Sequence, residues 1–179
     1  MELFWERGYE GTSMSDLTEA MGISPSSLYA TFGDKERLHQ SAIEHYLAGP
    51  GAYAFEILDA EPTARGAFER LFKTSSQRLT ESTRPTGCML ALAVNQCSPV
   101  FDSVQRAMHQ LRLRSRSAIA DRLARGQREG EISDSTDIEE LAMFLTAALQ
   151  GMSIQARDGA SNEQLESIGR LAMKAWPTC

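Results

Sequence analysis

Residues 12–35 read TSMSDLTEAMGISPSSLYATFGDK, and this stretch decides the fold of the N-terminal part of the chain. Ser13, followed three residues later by Asp16, has the pattern of a capping box at a helix N-terminus. Gly22 then ends the first helix, and Ser24 can cap the second by accepting from an exposed amide. The stretch therefore predicts two short helices joined by a three-residue turn, which is a helix-turn-helix.

The second of these helices has an apolar side and an outward side with small hydroxyl groups. At 100° per residue, Leu28 and Phe32 share one face, with Tyr29 at its margin. A helix with small outward side chains can enter a DNA major groove about 12 Å wide. Helical hairpins with a glycine turn are common, however, and serines at a helix start are often only caps. The spacing alone leaves open that the hairpin is a scaffold.

The composition predicts an all-α protein of 179 residues, with three valines against 22 alanines and 18 leucines. No stretch alternates apolar and polar residues as a half-buried strand does. The net charge of −6 argues against wholesale coating of nucleic acid or an anionic membrane. No apolar run is long enough to span a bilayer and no signal peptide is evident, so we expect a cytoplasmic protein.

The break at Gly49-Pro50-Gly51 predicts a domain boundary, with a helix-turn-helix domain over 1–48 and a helical effector-binding and dimerisation domain over 49–179. We expect the chain to start inside the first helix of the smaller domain. Helices are predicted over 2–7, 35–47, 52–58, 63–80, 88–96, 98–128, 138–154 and 164–176, in addition to the two helices of the hairpin.

The remaining motifs argue against an enzyme, a metal site or a cofactor. The sequence has no glycine-rich phosphate loop, nucleophile elbow or HExxH motif, and its histidines and cysteines lack metal-ligand spacing. Cys88 and Cys97 are nine residues apart and would face opposite ways on one helix, which leaves open a thiol sensor or inert buried cysteines. Seven arginines between Arg106 and Arg128 scatter around their helix, which indicates a solvated helix with internal ion pairs.

Three segments of the N-terminal quarter resemble the DNA-binding domain of the TetR/AcrR family of bacterial transcriptional regulators. They are FWERGYEGTS at 4–13, LTEAMGIS at 17–24 and SLYATFGDKERL at 27–38. The resemblance implies an N-terminal three-helix helix-turn-helix domain and a C-terminal helical ligand-binding and dimerisation domain. It also implies a homodimer that represses its target and is released by a small effector.

Carried onto this sequence, the family's contacts to double-stranded operator DNA fall at Thr12, Ser13, Ser24, Pro25, Ser26, Ser27, Tyr29, Thr31 and Lys35. Residues 1–47 carry three basic against eight acidic side chains, a net charge of −5, which is unfavourable for phosphate attraction. The recognition helix has no arginine or glutamine. We therefore expect backbone contacts and DNA shape to contribute strongly to recognition.

The resemblance places an effector pocket within the C-terminal helices. Candidate walls are Phe72, Met89, Leu92, Phe101, Met108, Phe144 and Met152, with Asn95, Gln96 and His109 as polar anchors. The segment 141–149 is apolar nearly all round, so it must bury both faces. We expect the helices at about 138–154 and 164–176 to form a homodimer interface that sets two recognition helices about 34 Å apart.

The sequence thus predicts a dimeric DNA-binding regulator, a repressor released from its operator by an unknown small molecule. The alternative is a helical ligand-binding or adaptor protein that keeps the hairpin only as scaffold.

Overall fold

The computed structural model describes residues 1–92 and 101–177, and this part of the chain contains helices and no strands. The helices are α1 Glu2–Arg7, α2 Met14–Met21, α3 Pro25–Phe32, α4 Lys35–Ala48, α5 Tyr53–Ala60, α6 Ala64–Leu79, α7 Met89–Leu92, α8 Asp102–Arg128, α9 Ile138–Arg157 and α10 Asn162–Ala172, with a 3₁₀ turn at Met173–Ala175. We call α1–α4 the head and α5–α10 the body.

The predicted caps form the helix-turn-helix. Ser13 and Asp16 make a full capping box at the start of α2. Gly22 ends α2 in the left-handed conformation with φ 64°, which an L side chain rarely adopts. Ser24 accepts from the Ser27 amide at the start of α3, and Asp34 accepts from the Arg37 amide at the start of α4. The local sequence therefore sets the bounds of α2 and α3.

The head closes around a core that includes side chains from the body. Leu17 and Leu28 are buried where α2 and α3 meet, and Phe4 is fully buried beneath them. Side chains from α7 and α8 complete this core: Met89, Leu90, Val104 and Met108. The division at residue 48 stays a prediction, and the core of the head draws on both sides of it.

The body has its own core, where α6 packs against α10 and α8 packs against α9. The buried side chains come from all of its longer helices: Phe68, Leu71, Ile119, Leu123, Leu145, Met152 and Leu165 are among them. Gly126 and Ala64 bring α8 and α6 close together, since a Cβ at Gly126 would lie 2.6 Å from the Ala64 Cβ. Burial of these apolar side chains is the main contribution to the stability of the body.

Several sequence expectations change in detail. The predicted helix over 88–96 is seen as α7 at Met89–Leu92, and its continuation lies outside the described residues, as does the predicted start of the long helix at 98. Two arginines of α8 bind backbone carbonyls at the end of α5 and are not fully solvated. Arg122 is buried and donates to the Glu61 carbonyl, and Arg125 donates to the Asp59 and Glu61 carbonyls. They cap the C-terminal end of α5, where a cation is favoured.

Within residues 1–92 and 101–177, no helix combines the length and apolar character needed to cross a bilayer.

Candidate nucleic-acid interface and ligand cavity

The outer surface of α3 presents a cluster of serines and one tyrosine. The Ser24 hydroxyl lies 2.8 Å from the Ser26 hydroxyl and 3.0 Å from the Ser27 hydroxyl. Pro25 is exposed, and Tyr29, a large aromatic residue, is 51% exposed. A partner surface can therefore approach the backbone of α3 closely and meet hydroxyl groups there.

Two threonines predicted as DNA contacts are engaged within the protein. Thr12 is fully buried, and its hydroxyl donates to the carbonyls of Gly8 at 2.8 Å and Leu3 at 3.2 Å. Thr31 is exposed, but its hydroxyl donates to the Ser27 carbonyl at 2.9 Å. Ser13, next to Thr12, is exposed and caps α2. The side chain of Thr12 thus ties α1 to the turn before α2.

The cations of the head are held by neighbouring groups. The Lys35 ammonium lies 4.3 Å from the centre of the Tyr9 ring, a cation–π contact. Arg7 pairs with Asp16 at 3.4 Å, and Arg37 approaches Asp34 at 3.9 Å. The hydrogen bonds from Ser13, more than Arg7, hold the pKa of Asp16 below its usual value. The positive charge available to phosphates at this face is therefore small.

His39 lies beneath Lys35 and was not singled out from the sequence. It is buried, and its ring stands edge-on to Phe4 at 4.9 Å and to Tyr9 at 5.1 Å. Its Nε2 has no hydrogen-bond partner within the described residues. Burial, with a smaller effect of Lys35, lowers the pKa of His39 from 6.5 to about 4. The ring therefore acts as a neutral aromatic core residue at neutral pH.

The body contains a cavity of about 130 Å³ between its helices and the end of α4. Its walls are mainly aliphatic, and they include Leu47, Leu58, Leu71, Leu79, Leu90, Ile119 and Leu149. The polar residues at the cavity are Tyr46, Tyr53, Ser75, Cys88, Arg112, Ser115, Thr146 and Gln150. This composition, an apolar cavity with a few polar groups, is typical of a small-molecule site.

Of the ten side chains predicted from the sequence as effector contacts, the eight that the structure describes are not among the residues that line this cavity. Phe72 and Met152 are in the core of the body, Met89 and Met108 are in the core of the head, and Phe101 stands edge-on to Tyr9. Leu92 is half-buried, His109 and Phe144 are exposed, and Asn95 and Gln96 lie outside the described residues. Helical periodicity marks a side chain as inward-facing but does not say which inward space it borders.

The polar groups at the cavity are mostly uncharged donors. The Tyr46 hydroxyl donates to the Cys88 thiol at 3.4 Å, and the Tyr53 hydroxyl lies 3.1 Å from that of Ser75. Burial raises the pKa of Tyr53 to about 12, and burial together with the nearby Cys88 raises the pKa of Tyr46 as well. Both phenols therefore stay protonated and can donate hydrogen bonds.

Trp5 and Arg157 join the head to the body near this cavity. The Trp5 indole donates to the Gly87 carbonyl at 3.0 Å, next to Cys88. The Arg157 guanidinium, at the end of α9, donates to the carbonyls of Trp5 and Glu6 at the end of α1. Within the head, Trp5 also stands edge-on to Tyr46, which lines the cavity, at 4.9 Å. A change in the cavity near Tyr46 therefore has a short physical route to α1.

The surface of α9 and α10 carries exposed apolar side chains. Met143 is 58% exposed, Leu171 is 61% exposed, and Phe144 and Ile154 are also exposed. A Cβ added at Gly151 would meet no atom within 4 Å, so that side of α9 is open. An apolar surface of this kind on a helical pair is characteristic of an association surface.

The part of the chain that the structure describes contains no cluster of three or more histidine, cysteine or acidic side chains that could hold a metal ion.

Comparison with protein families gives two matches that together span most of the chain. Residues 1–42 match the N-terminal model of the bacterial regulatory proteins of the tetR family. Residues 62–171 match a model of the tetracyclin repressor-like C-terminal domain. The first match contains the helix-turn-helix, and the second contains most of the body.

Individual proteins agree with these families over nearly the whole chain. The HTH-type transcriptional repressor ComR of Escherichia coli K12 is 34% identical over 183 residues, covering 99% of this chain and 85% of ComR. The HTH-type transcriptional regulator YezE of Bacillus subtilis 168 is 30% identical, covering 93% of this chain and 86% of YezE.

A solved structure is closely similar to the fold described above. It is a cysteine mutant of the TetR family transcriptional regulator CifR complexed with a 26-bp double-strand operator DNA. It is 40% identical, covers 98% of this chain and 92% of its own, and superposes with a TM-score of 0.95. With its capped helix-turn-helix, its all-helical body and these matches, the chain belongs to the TetR family of DNA-binding bacterial transcriptional regulators.

Proposed function

We propose that this protein represses transcription by binding operator DNA as a homodimer, with α3 of each subunit in the major groove. The observation that supports this most is the capped α2–α3 unit with its exposed serine and tyrosine surface, on a fold that superposes on a regulator complexed with operator DNA. The cytoplasm, where the chromosome lies, is the compartment that this function requires.

The proposed DNA contacts are the exposed or half-buried members of the set read from the sequence: Ser13, Ser24, Pro25, Ser26, Ser27, Tyr29, Thr31 and Lys35. Thr12 is omitted because its side chain is buried and already hydrogen-bonded. On binding, the Lys35 ammonium exchanges the ring of Tyr9 for a phosphate. Because Arg7 and Arg37 are paired with acids, recognition relies on hydroxyls, backbone amides and DNA shape.

The proposed dimer uses α9 and α10, as the sequence predicts. Met143, Ala147, Gly151 and Ile154 follow one another at helical spacing on the exposed side of α9, so two copies could pack closely along this stripe. Exposed Phe144 fits this surface better than the effector site to which the sequence assigned it. A two-fold contact of this kind is isologous, so each residue meets its own counterpart or a neighbour of it.

We further propose that a small molecule in the cavity releases the repressor. The cavity supports this because Tyr46 and Leu47, in the last turn of α4, belong to its wall while the rest of α4 belongs to the head. An occupant that shifts α4 would change the separation of the two recognition helices. Release requires that the occupant bind the shifted conformation more tightly than the DNA-bound one.

The net charge of −5 in residues 1–47 favours a second candidate, a ligand-binding or adaptor protein in which the hairpin is scaffold. The two functions make opposite predictions for substitutions on the exposed surface of α3. Such substitutions should weaken the binding of a repressor to its operator, but they should leave the activity of an adaptor protein intact.

The test selects operator fragments from genomic DNA with the purified protein and measures their affinities at several salt concentrations. We expect Tyr29→Ala to weaken operator binding and Lys35→Ala to weaken binding to all sequences, with a salt slope lower by about one. Lys73→Ala, an exposed lysine on α6, is the matched control and should bind like the unaltered protein. If the protein has no preference for any fragment over random DNA at low salt, the proposed function is wrong.

A further inference from the structure

The charge distribution in the cavity is one-sided. Among the described residues that line the cavity, Arg112 is the only side chain that is charged at neutral pH. Over residues 1–92 and 101–177, no aspartate or glutamate contributes to the same walls. An apolar cavity with one cation and no counter-ion has an electrostatic preference for a negatively charged occupant.

Arg112 is half-buried, and the buried part of its guanidinium lacks a partner among the described residues. Its Nη1 is shielded from solvent and has no hydrogen-bond partner among the described residues, which also give Arg112 no ion pair. Burial alone lowers the pKa of its guanidinium. Leaving a buried charged donor unsatisfied destabilises the folded state, so such a group is expected where a ligand completes it.

The cavity limits the size of that ligand. Its volume of about 130 Å³ is close to that of engineered cavities of about 150 Å³ that bind benzene. Seven leucine and isoleucine side chains line the wall, and the protonated hydroxyl of Tyr53 can donate a hydrogen bond to an occupant. The hydroxyl of Tyr46 already donates to Cys88. The planar fork of an arginine matches a carboxylate geometrically.

We infer that the cavity binds a small carboxylate with a compact apolar body, of about the size of benzoate, and that the Arg112 guanidinium pairs with its carboxylate group. This inference rests on the proposed function, in which an occupant of this cavity releases the repressor, and it gives the chemical class of that occupant. The apolar body lies against the leucine-lined wall, and the carboxylate replaces the missing partner of Nη1.

The experiment measures binding of benzoate and hexanoate to the purified dimer without DNA, by calorimetry and by the shift in melting temperature. Benzamide and hexanamide serve as uncharged analogues. We expect the carboxylates to bind and the amides to bind at least tenfold more weakly. Arg112→Gln should weaken carboxylate binding by roughly 10- to 100-fold. The carboxylates and the amides should then bind with similar affinities. Arg112→Lys should be intermediate, because it keeps the charge but not the fork.

Arg114→Gln is the matched control, since Arg114 is the next arginine on α8 and is exposed; it should bind benzoate like the unaltered protein. Without ligand, Arg112→Gln should melt at the same temperature or higher, since it removes an unpaired charge. The inference is overturned if neither carboxylate binds at millimolar concentration, if the amides bind as well as the acids, or if ligand-free Arg112→Gln is less stable.

The two proposals fail separately. Carboxylate binding with no operator preference would leave the ligand class standing and refute the repressor. If the protein binds its operator but binds neither carboxylate, only the proposed ligand class is refuted.

Discussion

His39 shows how one buried side chain can make the stability of the head depend on pH. It stands between Phe4 and Tyr9, and Lys35 lies above the same Tyr9 ring. Its pKa of about 4 in the folded state lies below the ordinary value of 6.5. As the pH falls, the unfolded chain therefore takes up this proton first, and the folded state loses stability.

We expect this contribution to be fully present above pH 6.5 and to be lost as the pH falls toward 4, by about 3 kcal/mol in total. His39→Phe keeps an aromatic ring against Phe4 and should remove this part of the pH dependence. Urea unfolding between pH 4 and 7 measures it. His45→Gln, at an exposed histidine of the same helix, should follow the unaltered protein. Parallel pH profiles for all three proteins would contradict the burial of a neutral His39.

Thr12 and Arg112 illustrate opposite uses of a polar residue inside the protein. Thr12 is buried with its hydroxyl satisfied by two carbonyls, so it stabilises the entry to α2. Arg112 is half-buried with Nη1 unsatisfied. The first arrangement is typical of a structural role, and the second is typical of a site that is completed by something else.

At the level of elements, the contact between α6 and α8 depends on a glycine. Gly126 is buried, and a Cβ there would lie 2.6 Å from the Cβ of Ala64, the first residue of α6. Both atoms are attached directly to helical backbones, so relief requires the helices to separate. The absence of a side chain at 126 therefore sets the distance between α6 and α8.

Gly126→Ala should destabilise the protein by about 1–3 kcal/mol, because overpacking outweighs the better helix propensity of alanine. The midpoint of urea unfolding measures the change. Ser117→Ala, at an exposed position of the same helix, gains propensity without a clash and should be neutral or slightly stabilising. A Gly126→Ala protein as stable as the original would show that α6 and α8 can move apart at little cost.

For the whole molecule, the DNA affinity of the heads depends on the proposed dimer of the bodies. In the proposed dimer, two heads would bind two half-sites of an operator together, which would raise the affinity far above that of one head. The head is held to its own body by Trp5, Tyr46 and Arg157, so the separation of the two heads follows the geometry of the bodies.

Met143→Glu combined with Leu171→Glu should convert the dimer to a monomer, because it places charges on the apolar surface of α9 and α10. Light scattering would measure the mass, and operator affinity should fall by roughly 10²- to 10⁴-fold. Met21→Glu makes the same change at an exposed methionine of α2 and should remain dimeric. A double variant that is still a dimer would place the interface elsewhere.

The features that the sequence determined by itself are local. Caps at Ser13 and Ser24, the glycine at 22 and the spacing of Leu17 and Leu28 specify α2 and α3, because each signal acts within one helical turn of its residue. The family resemblance rests on these same residues. Only the tertiary structure decided that Thr12 and His39 are buried, that Met89 and Met108 of the body complete the core of the head, and that Arg112 borders the cavity. These depend on contacts between separate helices, many of them far apart in the chain, and helical periodicity carries no information about which helices meet.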